Sequence, residues 1–192
     1  MNFATERLKK NMKNLYIILL FICSLLPVSV FADVNPEDQY KAVFIYNFTK
    51  YIQWPNYDNM ETYKIAIIGD SEIIIPLKEI EKKRTVNNKK IKIIHFQDIH
   101  DINICHILFI SASEKKRLSD ILQKVKDNNI LTVSDSMGFA HEGVSINFII
   151  VDGKIKFEIN NSSIDQAGLQ VSSHLLKLAI LVEEKGKSDD KL

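Results

Sequence analysis

Apolar and polar positions repeat with different periods along the chain, and each period predicts one kind of element. Short apolar runs are typical of strands that are buried on both faces. Such runs predict strands at residues 64–68, 91–96, 105–110 and 130–133. Apolar residues spaced three or four positions apart predict helices at 35–55, 71–83, 111–127 and 163–182. Strands that alternate with helices form a mainly parallel sheet with helices on its faces.

The C-terminal part of the chain carries a hairpin signal. The dipeptide Asp152-Gly153 separates two strand-like runs, at 145–151 and 154–159. An Asp-Gly pair between such runs favours a two-residue turn in which both residues take positive φ. The sequence therefore predicts a single mixed α/β domain with a mainly parallel sheet, flanking helices and an antiparallel C-terminal hairpin.

The N-terminal segment has the features of a secretory signal peptide. Basic residues at positions 9, 10 and 13 precede an apolar stretch at 15–26, and Val30-Phe31-Ala32 forms a cleavage site. An uncleaved membrane anchor is the alternative, but Pro27 interrupts a stretch that is already short for a span. We expect cleavage after Ala32, export to the periplasm, a domain at 33–182 and a charged flexible tail at 183–192.

Charge and cysteine content narrow the functional class. Removal of the first 32 residues takes away four basic side chains and one acidic one, which leaves a net charge of −2. A nearly neutral domain gives no electrostatic reason to expect nucleic-acid binding. Only Cys105 remains after cleavage, so we expect no internal disulfide, and a disulfide between two chains stays open.

Two groups of residues contain side chains that occur in catalytic or metal sites. Gly69-Asp70-Ser71 resembles the start of one class of serine hydrolases, but no histidine has an aspartate three residues before it, so we interpret Ser71 as a helix cap. Metal-ligating residue types occur between His95 and His106, but strand alternation directs Cys105 and His106 to opposite faces of the sheet. We therefore predict no catalytic residues, no metal and no cofactor, and hence no enzyme.

Two further segments leave alternatives open. The basic residues between positions 82 and 92 are typical of a solvated surface, and a binding patch for an anionic ligand or lipid headgroup is the alternative. The loop at 134–143 follows a strand, where α/β domains often bind ligands, but it also serves as a plain connection into the hairpin.

Several segments, in order, resemble the YfiR family of exported proteins. Residues 41–55, KAVFIYNFTKYIQWP, are similar to the opening helix of that family. Further similar segments lie at 67–70, 105–111, 132–140, 146–148, 157–160 and 168–179. The resemblance covers the chain from about Tyr40 to Val182.

The resemblance implies a periplasmic regulator. Proteins of this family bind and repress the periplasmic sensor region of an inner-membrane diguanylate cyclase, and so control cyclic di-GMP and biofilm formation. An outer-membrane peptidoglycan-binding lipoprotein sequesters the regulator. Family members also occur beside kinases and receptors. The family's paired cysteines are absent here, which puts redox control through an internal disulfide in doubt.

The contact surface is predicted at two places. The strip of Phe157, Glu158, Asn160 and Ile164 lies where the hairpin leads into the last helix, and Trp54 before Pro55 is an aromatic anchor if it is exposed. Phe157 and Ile164 are alternatively core residues. The competing hypothesis is a small-molecule sensor that binds its ligand at the 134–143 loop and reports to a kinase or receptor. A homodimer is left open.

Overall fold

The computed structural model describes residues 35–55 and 61–183. The predicted signal peptide at 1–32 lies outside the described residues, as does the predicted tail beyond residue 183. No helix in the described part of the chain combines the length and the apolar character that a membrane crossing requires.

Five α-helices and ten strands form the described domain. The helices are α1 (Pro36–Phe48), α2 (Ile74–Lys83), α3 (Leu118–Val125), α4 (Asn161–Gln166) and α5 (Ser173–Leu176). The first five strands are β1 (Ile52–Gln53), β2 (Thr62–Ile68), β3 (Thr85–Val86), β4 (Lys89–Phe96) and β5 (Ile107–Ile110). The remaining strands are β6 (Leu131–Ser134), β7 (Ile146–Val151), β8 (Lys154–Asn160), β9 (Gln170–Val171) and β10 (Ile180–Val182). Three short 3₁₀ helices lie at Ile99–Asp101, Ala112–Arg117 and Phe139–Glu142.

Eight of these strands form one mixed sheet in the order β10-β8-β7-β6-β5-β2-β4-β3. The neighbours from β7 through β6, β5 and β2 to β4 are parallel. The β7–β8 hairpin and the short β3–β4 pair are antiparallel, and β10 is parallel to β8. The predicted fold class, a mainly parallel sheet with flanking helices and an antiparallel hairpin, is confirmed.

Each face of the sheet has its own apolar core, as the alternation of strand side chains requires. Ile65 and Ile67 of β2 belong to the core that includes α1 and α2, whereas Ala66 and Ile68 belong to the core under α3. The same alternation separates Cys105, which packs in the α3 core, from His106, which stacks on Tyr63 of the other core.

The β7–β8 hairpin projects past the carboxyl ends of the central strands. Ile110 at the end of β5 lies beside Ser134 at the end of β6, and Ser134 lies beside Asn147 near the start of β7. Residues 148–151 therefore extend roughly 14 Å beyond the last residues of β5 and β6. Asp152 and Gly153 both have positive φ, 51° and 69°, as the predicted turn requires.

The first helix is shorter than predicted. It ends at Phe48 rather than at Pro55, and the Thr49 hydroxyl donates a hydrogen bond to the Tyr46 carbonyl at its end. The chain is then drawn into an antiparallel pair in which Ile52 lies opposite Val171. The helical spacing of the sequence did not reveal this long-range pairing.

The predicted last helix at 163–182 is wrong. Gly168, with φ +67°, follows the short helix α4, and Ser172 caps α5 by accepting a hydrogen bond from the Leu175 amide. The chain then ends in β10, which extends the sheet beside β8. Pairing with strands that are distant in sequence outweighs the local helical pattern here.

One smaller prediction also needs correction. Ser71 does not cap α2, which begins at Ile74 without a side-chain cap. Between α2 and β4, the chain forms β3 and a tight turn in which Asn87 and Asn88 have φ values of 46° and 65°.

Candidate interaction surface

The projecting hairpin is held by an aromatic cluster beneath α1. The rings of Phe48 and Phe157 meet edge to face with centroids 5.4 Å apart, and Phe48 stacks on Phe148 at 5.9 Å. Phe44 contacts both hairpin rings at 6.0 Å. Aromatic pairs of this geometry are worth about 0.5–1.5 kcal/mol each beyond their buried area. The hairpin and α1 therefore form one supported unit, which we call the arm.

The outer surface of the arm is apolar and exposed. The side chains of Tyr40, Val43 and Ile150 are 63%, 50% and 54% exposed. Phe44, Ile150 and Ile155 line a groove of about 480 Å³ between the helix and the hairpin. Large exposed apolar residues that cluster around a groove are typical of protein-binding surfaces.

An ion pair joins the arm to the carboxyl end of β6. The Lys41 ammonium lies 2.7 Å from an oxygen of Asp135 and 2.6 Å from one of Glu37, and its side chain is only 7% exposed. Burial disfavours the charged ammonium, but the hydrogen bonds to Asp135 and Glu37 outweigh it, so the pKa of Lys41 is raised. Burial also raises the pKa of Asp38, against the opposing effect of Lys41.

The crevice between β2 and β5, where parallel sheets often bind ligands, is closed by its own loops. The Asp70 amide donates a hydrogen bond to Ser113 Oγ at 3.0 Å, and the Ser111 hydroxyl donates to the Asp70 carbonyl. Gly69, with φ +84°, packs so closely against Ser113 and Glu114 that a Cβ atom there would overlap both.

The 134–143 loop is bonded to the elements around it. Besides the Asp135–Lys41 pair, the Ser134 hydroxyl donates to the Ile110 carbonyl at 2.8 Å. The Asn160 amide nitrogen donates to the Ala140 carbonyl at 2.8 Å. The end of the loop lines a separate cavity of about 300 Å³, shared with α3 and α4.

Four of the five predicted contact residues are buried. Trp54 donates a hydrogen bond from Nε1 to the His106 carbonyl at 3.2 Å, and Phe157 and Ile164 belong to the core beneath α1. Asn160 is fully buried, and its side-chain oxygen Oδ1 accepts a hydrogen bond from the Ser163 backbone amide. Of these four side chains, Phe157 packs beneath the arm, in the aromatic cluster with Phe44 and Phe48.

Glu158 is the fifth predicted residue and the one that solvent reaches. It is half-buried on the hairpin face opposite the aromatic cluster. Its carboxylate accepts a hydrogen bond from the side-chain amide of the buried Asn147 at 3.0 Å. A charge reversal at Glu158 would remove that bond, so Glu158→Gln is the cleaner test of its role in binding.

Sequence reasoning missed the exposed residues of the arm. Tyr40, Val43 and Ile150 lie in periodic segments that resemble core-facing patterns, and their exposure depends on how far the hairpin projects. The signal available in the sequence was a wide apolar distribution around the first helix, in which the buried residues Ala42 and Ile45 alternate with the exposed Tyr40 and Val43.

Two candidate chemical groups are buried. Burial lowers the pKa of His106 to about 4, and its Nδ1 accepts a hydrogen bond from the Lys64 amide at 3.0 Å. Burial raises the pKa of the Cys105 thiol to about 12. Within residues 35–55 and 61–183, no three His, Cys, Asp or Glu side chains are grouped so that they could hold a metal ion.

Comparison with known proteins identifies a family and shows solved structures with a similar fold. The model of the YfiR/HmsC-like family matches residues 38–180. Among curated proteins, none matches the chain. The fold is similar to that of the ABC domain from Streptococcus pneumonia solved in complex with L-Trp, with a TM-score of 0.51 and 9% identity over 76% of this chain. The chain spans 60% of that neighbour's length, and the likeness concerns the fold alone.

Proposed function

The chain belongs to the YfiR/HmsC-like family, and from this membership we propose that it is a periplasmic regulatory protein. It binds the periplasmic sensor region of an inner-membrane signalling protein, a diguanylate cyclase, and represses it. Its output is then the level of cyclic di-GMP and, through it, biofilm formation. Residues 1–32 serve as the cleaved signal peptide, and residues 33–182 form the regulatory domain.

The arm is the observation that supports binding to a protein. Tyr40 and Ile150 are exposed at an apolar groove, although they are carried by a helix and a hairpin that are packed together beneath it by aromatic rings. Large aromatic and aliphatic side chains on a rigid base act as binding anchors because little conformational entropy is lost when they are covered.

Repression follows if the arm prefers one state of the sensor. A bound regulator shifts the equilibrium between the two states of its partner only by the difference between its binding free energies for those states. The arm would hold the cyclase inactive by binding the inactive sensor conformation more tightly. A lipoprotein of the peptidoglycan-binding type that covers the same surface would relieve repression by competition.

The test combines in-cell crosslinking with variants of the arm. The tagged protein is crosslinked in the envelope, and the captured proteins are identified by mass spectrometry while cyclic di-GMP is measured. Tyr40→Ser combined with Ile150→Ser should reduce capture of the cyclase at least about tenfold, since anchor residues each contribute about 1–2 kcal/mol or more. Cyclic di-GMP should rise in the same cells.

Ile104→Ser is the matched control, because Ile104 is also exposed but precedes the amino end of β5, away from the arm. Capture that survives in the arm double variant would refute the role of the arm. Capture of a kinase or receptor in place of a cyclase would keep the regulatory role and change the output.

A second candidate function is the sensing of a small molecule that is reported to a kinase or receptor. The cavity of about 300 Å³ beside the 134–143 loop favours it, because Thr132, Ser145 and Glu142 contribute polar groups to a lining of mixed polar and apolar side chains. A thermal-shift screen with nucleotides and aromatic metabolites separates the two functions, since a ligand that binds only the folded state raises the melting temperature. A specific shift that is lost in Glu142→Gln would support this second function.

A further inference from the structure

Positive charge is concentrated at the sheet edge farthest from the β7–β8 hairpin. Residues 74–92 carry seven basic and two acidic side chains, a net charge of +5. Because residues 33–192 sum to −2, the rest of that region carries −7. This segment contains α2, β3 and the start of β4, whereas the arm contains β7 and β8 on the other side of the central strands.

Cations from three elements form one surface, which we call the basic face. Two adjoining grooves, of about 610 and 370 Å³, share Lys83 and Arg84. Lys82, Lys90 and Lys92 line the larger groove, and Lys50, which follows the end of α1, lines the smaller one. The basic face consists of Lys50, Lys82, Lys83, Arg84, Lys90 and Lys92.

Two carboxylates neutralise only part of the basic face. Glu79 lies 2.8 Å from the Lys82 ammonium and 3.2 Å from that of Lys83, and Glu81 lies 3.6 Å from that of Lys92. Among the residues that the structure describes, Arg84 and Lys90 form no ion pair. Both are exposed.

We infer that the basic face binds the anionic phosphate headgroups of a lipid bilayer. The cations are exposed and spread over a helix, a hairpin and the end of α1, which suits many weak contacts with a charged plane. A site for one small anion would instead bring buried donors together around a point. Clustered Lys and Arg side chains attract anionic bilayers within about a Debye length of the surface.

This inference goes beyond the proposed function and rests only on the export that it assumes. Adsorption through the basic face would concentrate the regulator at the outer surface of the inner membrane. The hairpin of the arm, with Ile150, would stay free, because β7 and β8 lie across the central strands from the basic face. Val43 of α1 borders the smaller basic groove.

The test is vesicle sedimentation with the exported protein recovered from the periplasm. The protein should sediment with vesicles of phosphatidylglycerol and phosphatidylcholine, but not with phosphatidylcholine alone. Arg84→Gln combined with Lys90→Gln should weaken binding at least about tenfold, since each surface cation contributes roughly fivefold. Lys115→Gln combined with Lys116→Gln is the matched control, because it removes the same charge from exposed positions outside the basic face. It should keep binding within about twofold of the unmodified protein.

Equal losses in the two double variants, or equal binding to both kinds of vesicle, would overturn the inference. Inorganic phosphate is added as a competitor to test whether the basic face binds a soluble phosphate compound instead of a lipid headgroup. It should displace the protein no more than chloride of equal ionic strength, and stronger displacement would also overturn the lipid assignment. Partner capture from detergent-solubilised membranes should be unchanged in the Arg84 and Lys90 variant. Loss of vesicle binding with intact capture would concern the lipid site alone, whereas absence of capture in the unmodified protein would concern the proposed function.

Discussion

Replacement of Asp135 by alanine removes one of the two carboxylates that hold the buried Lys41 ammonium. Asp135 lies 2.7 Å from that group and joins β6 to the arm, whereas Glu37 belongs to the same helix as Lys41 and is 40% exposed. A hydrogen bond to a charged group contributes about 1.5–3 kcal/mol. Because Glu37 remains as a partner, Asp135→Ala should cost about that amount, below the roughly 3–5 kcal/mol of a fully orphaned buried charge.

The sign of the effect should change when Lys41 is replaced first. Without the ammonium, Asp135 only repels neighbouring carboxylates, and its charge already contributes to the raised pKa of Asp38. In the Lys41→Met background, Asp135→Ala should therefore be neutral or slightly stabilising, by about 0–0.5 kcal/mol. The double-mutant cycle isolates the pair from other effects of each substitution.

Urea unfolding at pH 7, followed by circular dichroism, gives the free energy of unfolding of all four proteins by linear extrapolation. The expected coupling between Lys41 and Asp135 is about 1.5–3 kcal/mol. A coupling below about 0.5 kcal/mol, within the additivity of independent sites, would refute the claim that this ion pair fixes α1 to the end of β6.

Three further predictions concern two buried side chains and one tightly packed glycine. The pKa of His106 is lowered by burial to about 4, so the unfolded state binds a proton more readily than the folded state. The free energy of unfolding should therefore be highest above pH 6.5 and should fall by at most about 3 kcal/mol as the pH approaches 4. Urea unfolding of His106→Gln should lack that part of the decline. Burial holds the pKa of the Cys105 thiol at about 12, so the folded protein should resist thiol reagents and run as a monomer on non-reducing gels, and rapid labelling would contradict its burial. Gly69→Ala combines positive φ with overlap against Ser113 and Glu114 and should cost at least about 2 kcal/mol in thermal or urea unfolding.

The central sheet could be predicted because its strands are buried on both faces. Residues 64–68 and 105–110 appear as nearly continuous apolar runs, which is what a parallel strand between two cores requires. The Asp152-Gly153 turn could be predicted because few dipeptides accept positive φ at both positions. In each case the local sequence and the final environment favour the same structure.

The C-terminal segment could not be predicted from local spacing. Its residues repeat as in a helix, yet Gln170–Val171 pairs with Ile52–Gln53 and Ile180–Val182 pairs with β8. Such short strands are stabilised by their pairing partners, which lie more than a hundred positions away for β9 and about twenty positions away for β10. No periodic pattern of two or three residues can signal that pairing.

The contact surface depends even more on tertiary structure. Asn160 is predicted in the contact strip because that strip lies where the hairpin leads into the next helix, but its side chain bonds to the Ala140 carbonyl and the Ser163 amide in the interior. Ile150 was assigned to a strand with no indication that it would be exposed. Its exposure follows from the register that carries the hairpin past Ser134.

The positions of the basic face and the arm suggest how one small domain could search for a membrane-bound partner. The hairpin of the arm and the basic face lie on opposite sides of the central strands. The two surfaces use different interactions, which respond differently to salt. Electrostatic adsorption weakens as the Debye length shortens from about 10 Å at 0.1 M salt to about 3 Å at 1 M, whereas apolar contacts do not. Salt should therefore release the protein from lipid vesicles while leaving capture through Tyr40 and Ile150 intact. If salt abolished both together, the two surfaces could not act independently, and the division of the molecule into an adsorbing face and a binding arm would have to be abandoned.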